Sequence, residues 1–248
     1  MVYFLSDIHL GSKALPDYRT HQDKIVALLE TLSQDATAIY LMGDIFDFWF
    51  EYFWPTRSKQ HRFGPFLNEL RSLTDRGIEV HFFTGNHDIW TFGYLAKRTG
   101  VIVHRKPSTI HHLQSTLFLA HGDEYCWENH YQWLRRFFHC RVAQFFFRLV
   151  PPFIGDAIGF SWAAKSRRRE MVEPTEYKGE TNESLVQFAK EYSKTHEVNY
   201  FIFGHRHIEL DLQISSHTRV VIIGDLFRQG TYAALDENGQ LTLLNYKL

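Results

Sequence analysis

Thiols are scarce in this chain. Its 248 residues include two cysteines, Cys126 and Cys140, too few for a disulfide framework, so a reducing compartment is the simpler expectation. Net charge is scarce too: 27 basic and 28 acidic residues leave −1. With no whole-molecule field, any attraction to nucleic acid or an anionic membrane has to come from local patches. No unbroken apolar run approaches the roughly 20 residues of a spanning helix. The greasiest stretch, 142–164, is interrupted by Arg148, Pro151, Pro152 and Asp156. Met1 leads straight into VYFLSDIHLG without a basic or long apolar leader, which suggests a cytoplasmic protein without an export signal.

What is present is ordinary in bulk. At 44% apolar and 22% charged residues, the composition is that of a soluble globular chain, long enough for one large core or a core plus a small cap. Short runs rich in β-branched and aromatic residues (VYFL, AIYLM, VHFFT, TLFLA, NYFIF, RVVII) read as buried strands. THQDKIVALLETLSQ and FGPFLNELRSLTDRG are helix-compatible, the second closed by Gly77. The closing GTYAALDENGQLTLLNYKL reads as a hairpin turning at Asn238-Gly239. This alternation predicts an α/β fold, a four-layer αββα sandwich of two sheets between helices.

The informative residues follow the strands. VYFL runs into Ser6-Asp7-Ile8-His9, AIYLM into Gly43-Asp44, and VHFFT into Gly85-Asn86-His87-Asp88. TLFLA runs into His121-Gly122-Asp123, and NYFIF into Gly204-His205-Arg206-His207. Open α/β sheets place their sites at strand C-termini, and Gly43, Gly85 and Gly204 suit sharp turns or close approach. One imidazole beside a strand is ordinarily a hydrogen-bonded structural residue. A series of such motifs at successive strand ends is different, because a core has no packing use for so many imidazoles and carboxylates.

In these motifs the chain resembles the calcineurin-like metallophosphoesterases over nearly its whole length. The resemblance implies two divalent cations, one held by Asp7, His9, Asp44 and His207, the other by Asp44, Asn86, His121 and His205, with Asp44 bridging. A mixed oxygen and imidazole donor set without thiolate suits Mn²⁺ first, and Fe²⁺ or Zn²⁺ as well. Two cations roughly 3.5–4 Å apart clamp phosphoryl oxygens and acidify a water for in-line attack, so no Ser or Cys nucleophile is required. His87 is implied to stabilise developing charge or protonate the leaving oxygen, with Asp88 a candidate to orient its ring. A structural role is the competing reading for His87. Asp47 is expected behind the ligands, and Cys126 as a bystander.

Between the His121 motif and NYFIF lies far more chain than a connection needs, and a helical cap over 127–180 is expected, with the core formed by 1–126 and 181–248. From Tyr131 to Arg169 the cap carries Arg135, Arg136, Arg141, Arg148, Lys165, Arg167, Arg168 and Arg169 against a single acid, Asp156. Leu134, Phe138, Val142, Phe145 and Leu149 fall on one helical stripe, and Trp133, Phe137, Phe146 and Phe147 widen it. A cap buried against its neighbours, with snorkelling arginines, is one reading. An acyl-chain cleft beside a basic surface for anionic head groups is the other.

The stretch HGDEYCWENHYQWLRR is similar to the corresponding stretch in the UDP-2,3-diacylglucosamine pyrophosphatases of lipid A synthesis, an enzyme group of that family, in Cys126, Tyr131 and Gln132. That similarity implies water attack on the α-phosphorus of a UDP-linked lipid at the cytoplasmic face of the inner membrane, to which the protein would bind peripherally. Asn86, Asp123 and Tyr131 would face the substrate, and Lys165 and Arg168 are candidate phosphate contacts. No nucleic acid and no obligate protein partner is expected. His87 is a departure, since the best-known members carry Arg after the motif Asn. A phosphoesterase for a soluble diester and a non-catalytic scaffold remain the alternative readings.

Overall fold

The computed structural model describes residues 1–54, 57–125, 129–172 and 175–247. The chain begins with β1 (Val2–Leu5), α1 (Tyr18–Leu32), β2 (Ala38–Leu41), α2 (Arg57–Asp75), β3 (Glu79–Phe83), α3 (Tyr94–Thr99) and β4 (Ile102–His104). A hairpin of β5 (Ser108–His112) and β6 (Ser115–Ala120) follows, then the inserted helices α4 (Asn129–Phe138), α5 (Arg141–Leu149) and α6 (Pro152–Val172). The chain returns through α7 (Ser184–Tyr192), β7 (Tyr200–Phe203), β8 (Glu209–Gln213), β9 (Arg219–Ile223), β10 (Thr231–Leu235) and β11 (Leu241–Asn245).

The strands form a six-stranded sheet, β11-β10-β1-β2-β3-β4, and a five-stranded one, β5-β6-β7-β9-β8. Side-chain alternation along each strand builds the layers. Tyr3 and Leu5 pack outward with Ile25 and Leu28 of α1, whereas Val2 and Phe4 pack inward against Leu117 and Ile202 of the other sheet. On the far side Phe118, Phe201 and Phe203 are covered by Leu185, Val186 and Ala189 of α7. The result is helices, sheet, sheet, helix. Strands β1, β2 and β3 run parallel, as do β6 and β7, so the loops after them share one edge.

Several boundaries differ from the sequence reading. Helix α2 starts at Arg57, upstream of the expected Phe63, and carries Pro65 inside it. The expected single stripe of the insertion is broken: α4 ends at Phe138, and α5 restarts after Cys140, whose φ −66° and ψ 113° are extended. Among the described residues no helix is long and apolar enough to cross a membrane.

Candidate active site

Strands β1, β2 and β7 each end at the shared edge in a strained turn. Asp7, His9, Asp44, His205 and His207 all have positive φ, between 49° and 65°, a left-handed conformation uncommon for residues with side chains and concentrated at functional sites. The turns are held by each other: Asp7 N donates to Gly43 O (3.1 Å) and His9 N to Asp44 O (3.0 Å). At Gly85 a Cβ would strike the Asp44 carboxylate, and at Gly204 it would strike Ser6 and Asp7. Glycine at those positions lets the ligand-bearing loops close on one another.

The donors form two adjoining groups. Asp7, His9 and His207 offer ligand atoms within 4.8 Å of one another, and so do Asp44, His121 and His205. Asp44 lies between them, its Oδ2 4.0 Å from His9 Nε2 and 3.5 Å from His121 Nε2. Asp7 Oδ1, His9 Nε2, Asn86 Oδ1 and His121 Nε2 are buried and make no hydrogen bond. Buried lone pairs without proton donors are costly unless a cation completes them, and a set of carboxylate, amide and imidazole donors fits divalent first-row metals.

The electrostatics agree with that donor set at three positions and run against it at two: burial would lower His121 but the Asp44 carboxylate holds it well above the usual imidazole range, and burial raises Asp7. Burial pushes His9 well below the usual imidazole range, and burial with the neighbouring His121 takes His205 down to about 3, so both are neutral with lone pairs to offer. Burial alone would raise Asp44, but the imidazoles of His121, His87 and His9 outweigh it and hold the carboxylate well below its usual range. His121 Nδ1 lies 2.9 Å from Met42 O, which sets the tautomer with Nε2 facing Asp44.

Behind the donors stands a layer that orients them. His207 Nδ1 is 3.2 Å from Asp225 Oδ2, and Asp225 Oδ1 accepts from the amides of Phe227, Arg228 and Gln229. Asp47 Oδ1 lies 3.6 Å from His9 Nδ1. Carboxylates placed so fix ring orientation and raise ligand basicity. His87 Nδ1 is 2.7 Å from Asp47 O, while Nε2 points to the donors, 4.0 Å from Asp44 Oδ2. Asp88 does not orient that ring: its carboxylate accepts from Gly85 N, Ile45 N and Phe46 N, stitching two loops together. Burial and the nearby Asp44 carboxylate push Asp88 up to about 7.

The expected substrate contacts are spread more widely. Asp123 is buried and takes Arg135 Nε at 2.8 Å. Lys165 and Arg168 face solvent on α6. The side chains of Tyr131 and Gln132, and Cys126 altogether, lie outside the described residues. The residue that sequence reading passed over is Arg167, 2% exposed. Its Nη1 lies 3.1 Å from His207 Nε2, its Nη2 3.1 Å from His87 Nε2, and its Nε 3.6 Å from Asp47 Oδ1. The signal was present as Gly155, Gly159, Ala163 and Arg167 at four-residue spacing, a helix seam narrow enough to lie against the core.

Beside this cluster, between cap and core, lies an apolar chamber of about 330 Å³ lined by Phe48, Phe50, Trp90, Phe137, Phe138, Ala143, Gln144, Phe147, Ile158, Gly159 and Trp162. Trp162 joins chamber to site, its ring centroid 5.0 Å from that of His87.

Residues 1–209 match the family model of the calcineurin-like phosphoesterases. The chain belongs to that family, and with it to the metal-dependent hydrolases. A UDP-2,3-diacylglucosamine hydrolase of Porphyromonas gingivalis is 39% identical over 249 residues, covering 95% of this chain and 94% of that protein. One from Vibrio parahaemolyticus is 27% identical over 95% of this chain and 94% of its own length. Among solved structures, a dimetal phosphatase from Danio rerio has a TM-score of 0.50 at 14% identity, covering 99% of this chain and 98% of that one, a likeness of fold alone.

Proposed function

We propose that the protein hydrolyses UDP-2,3-diacylglucosamine to UMP and 2,3-diacylglucosamine 1-phosphate. The observation that carries this reading is the contiguity of the apolar chamber with the imidazole and carboxylate cluster through Trp162 and His87. A soluble diester would give that chamber no occupant, whereas acyl chains fit its lining. The names of the relatives supply the head group.

Asp7, His9, Asp44 and His207 would hold one divalent cation and Asp44, Asn86, His121 and His205 the other, with Mn²⁺ the first choice and Fe²⁺ or Zn²⁺ the alternatives. When bound, the pair supplies charge neutralisation at the phosphoryl group and a water acidified toward neutral pH. The chain's own residues do the rest. Asp225, 3.2 Å from His207 Nδ1, holds that ring with Nε2 toward Asp7, and the Asp47 carboxylate lies 3.6 Å behind His9 Nδ1. Water oxygen bonds to the α-phosphorus, and the bridging oxygen leaves with the β-phosphate as the sugar 1-phosphate. His87, its Nδ1–H given to the Asp47 carbonyl, would act as the imidazolium, its Nε2–H donated to the phosphoryl or leaving oxygen, and Asn86 faces the same space.

Residues 127–180 act as the cap, and 1–126 with 181–248 as the catalytic core. Trp133, Phe137, Val142, Phe145, Phe146 and Phe153 are exposed on the cap, beside Arg136, Arg141 and Arg148. Such a surface fits peripheral contact with an anionic bilayer, the cytoplasmic face of the inner membrane. The test is hydrolysis of UDP-2,3-diacylglucosamine beside bis-p-nitrophenyl phosphate, with and without Mn²⁺. Metal-dependent release of UMP is expected, and turnover of the soluble ester alone would overturn the lipid assignment while leaving the hydrolase.

A further inference from the structure

At the end of the sandwich opposite the metal-ligand loops, where β1, β2 and β3 begin, the two sheets part around a cavity of about 420 Å³. Tyr40, Glu79 and Leu235 line it from one sheet, and Ile110, His112 and Leu117 from the other. One wall is a cross-strand ladder. Phe4, Tyr40 and His81 stand in register on β1, β2 and β3, with the Tyr40 ring centroid 5.2 Å from that of Phe4 and 4.4 Å from that of His81. Side chains stand out from a sheet, so rings stacked along it present their tips to the facing sheet. The tip of Tyr40 is its hydroxyl. Tyr40 is 7% exposed, and among the described residues its hydroxyl has no hydrogen-bond partner, a costly arrangement for a buried polar group. Burial, reinforced by the Glu79 carboxylate, pushes Tyr40 up to about 12, so the phenol keeps a proton to donate. Glu79 has oxygens to offer. Its side chain is 69% exposed, its Oε2 lies 3.5 Å from His81 Nε2 without hydrogen-bonding to it, and no Lys or Arg pairs with it among the described residues.

We propose that this cavity is a nucleobase site, for a base that carries a ring N–H beside a carbonyl, as uracil and hypoxanthine do. The space between two sheet faces is a slot, and a planar ring fills it with its apolar faces toward Ile110, Leu117 and Leu235. The rim of the ring then meets the two polar groups: Tyr40 Oη–H donates to the carbonyl, and the Glu79 carboxylate accepts from the N–H. An aliphatic amine would satisfy Glu79 and leave Tyr40 without an acceptor, and a hydrocarbon chain would satisfy neither. The cavity shares no lining residue with the metal-ligand cluster, so the assignment holds whatever ester the enzyme cleaves.

The experiment is calorimetric binding of uridine and of inosine to the Zn²⁺-loaded enzyme, whose histidine NMR signals stay sharp. At least one nucleoside should bind, and which of them does so decides between a pyrimidine and a purine site. Methylating the ring nitrogen, as in 3-methyluridine and 1-methylinosine, should weaken binding at least about tenfold, because the methyl group removes the donor to Glu79. Tyr40→Phe and Glu79→Gln should each weaken the nucleoside about tenfold while keeping the wild-type Tm in its absence. The ring signals of His112, half-buried in the facing wall, should shift on titration.

No binding of either nucleoside, equal affinity for the methylated forms, an unmoved His112 signal, or unchanged affinity in Glu79→Gln would overturn the inference. If Tyr40→Phe loses stability without nucleoside, Glu79→Gln, made on an exposed side chain, still decides.

Discussion

The floor of the site and the cap above it bury their unusual residues for opposite reasons. In the floor, Asp7 and His9 are fully buried with atoms that no protein hydrogen bond satisfies, on backbone held in the left-handed region. In the cap, helix α5 buries none of its residues, and Phe146 and Phe153 are 64% and 76% exposed. The floor stores polar groups where water cannot reach, and the cap leaves apolar groups where water can. Each arrangement is unfavourable for folding alone, and each becomes favourable with an occupant, cations in one case and lipid in the other.

The largest expected effect breaks the floor. Asp44→Ala removes the carboxylate that lies between both donor groups, and turnover of any substrate should fall by more than about 10³-fold. Kinetics on bis-p-nitrophenyl phosphate would show this, and near-normal rates would contradict a shared role. Next is Asp225→Asn, which leaves His207 in place but removes the charge behind its Nδ1. Metal affinity should drop roughly 10–100-fold, read by Mn²⁺ titration, and unchanged affinity would make Asp225 a loop anchor only.

The two regions were not equally legible. The floor could be read because ligation chemistry demands particular side chains at strand ends, and Asp7, His9, Asp44, His121, His205 and His207 announce themselves by type. Asp47 was expected behind the ligands and lies there, whereas Asp225 was harder, since an orienting carboxylate has no spacing rule and is found only by its contact. The interior strands were visible as apolar runs. Strands β4, β5 and β8 were not, because they lie at or near sheet edges and alternate or mix polar residues, as ELDLQ does. In the cap the apolar stripe was visible but not its break at His139-Cys140. Lys165 and Arg168 attracted attention as charges, yet helix phase turns them to solvent and turns Arg167 inward.

Within the cap the comparison sharpens to neighbouring residues. Phe147 lines the chamber, its ring 4.7 Å from Phe50, while Phe146 faces outward. Phe147→Ser should reduce lipid turnover in detergent and on vesicles alike, about tenfold, through lost chain contacts. Phe146→Ser should reduce it only on vesicles, by a few-fold, through weaker bilayer contact. Loss of the soluble-ester rate by equal factors in both variants would indicate an unfolded cap instead.

The smallest effect concerns a charge buried at the seam between the two regions. Lys59 is 3% exposed, with Nζ 4.0 Å from Asp156 Oδ1 and over the rings of Trp49 and Tyr52. Burial lowers its pKa to about 8, against the pull of Asp156 and Glu51 and with the push of Arg62. In the unfolded chain a lysine titrates near 10.4. Between those values the unfolded state binds more protons, so stability should rise with pH from about 8 toward 10, and below 8 the burial penalty acts in full. Lys59→Met should remove that rise and increase Tm by a few degrees at pH 7, followed by thermal unfolding at pH 7 and pH 9.5. A lower Tm with the pH dependence intact would mean that the ion pair to Asp156 holds the cap to the core. A higher Tm would place Lys59 with the floor's buried groups, present at a cost to folding, but with no cation to repay it.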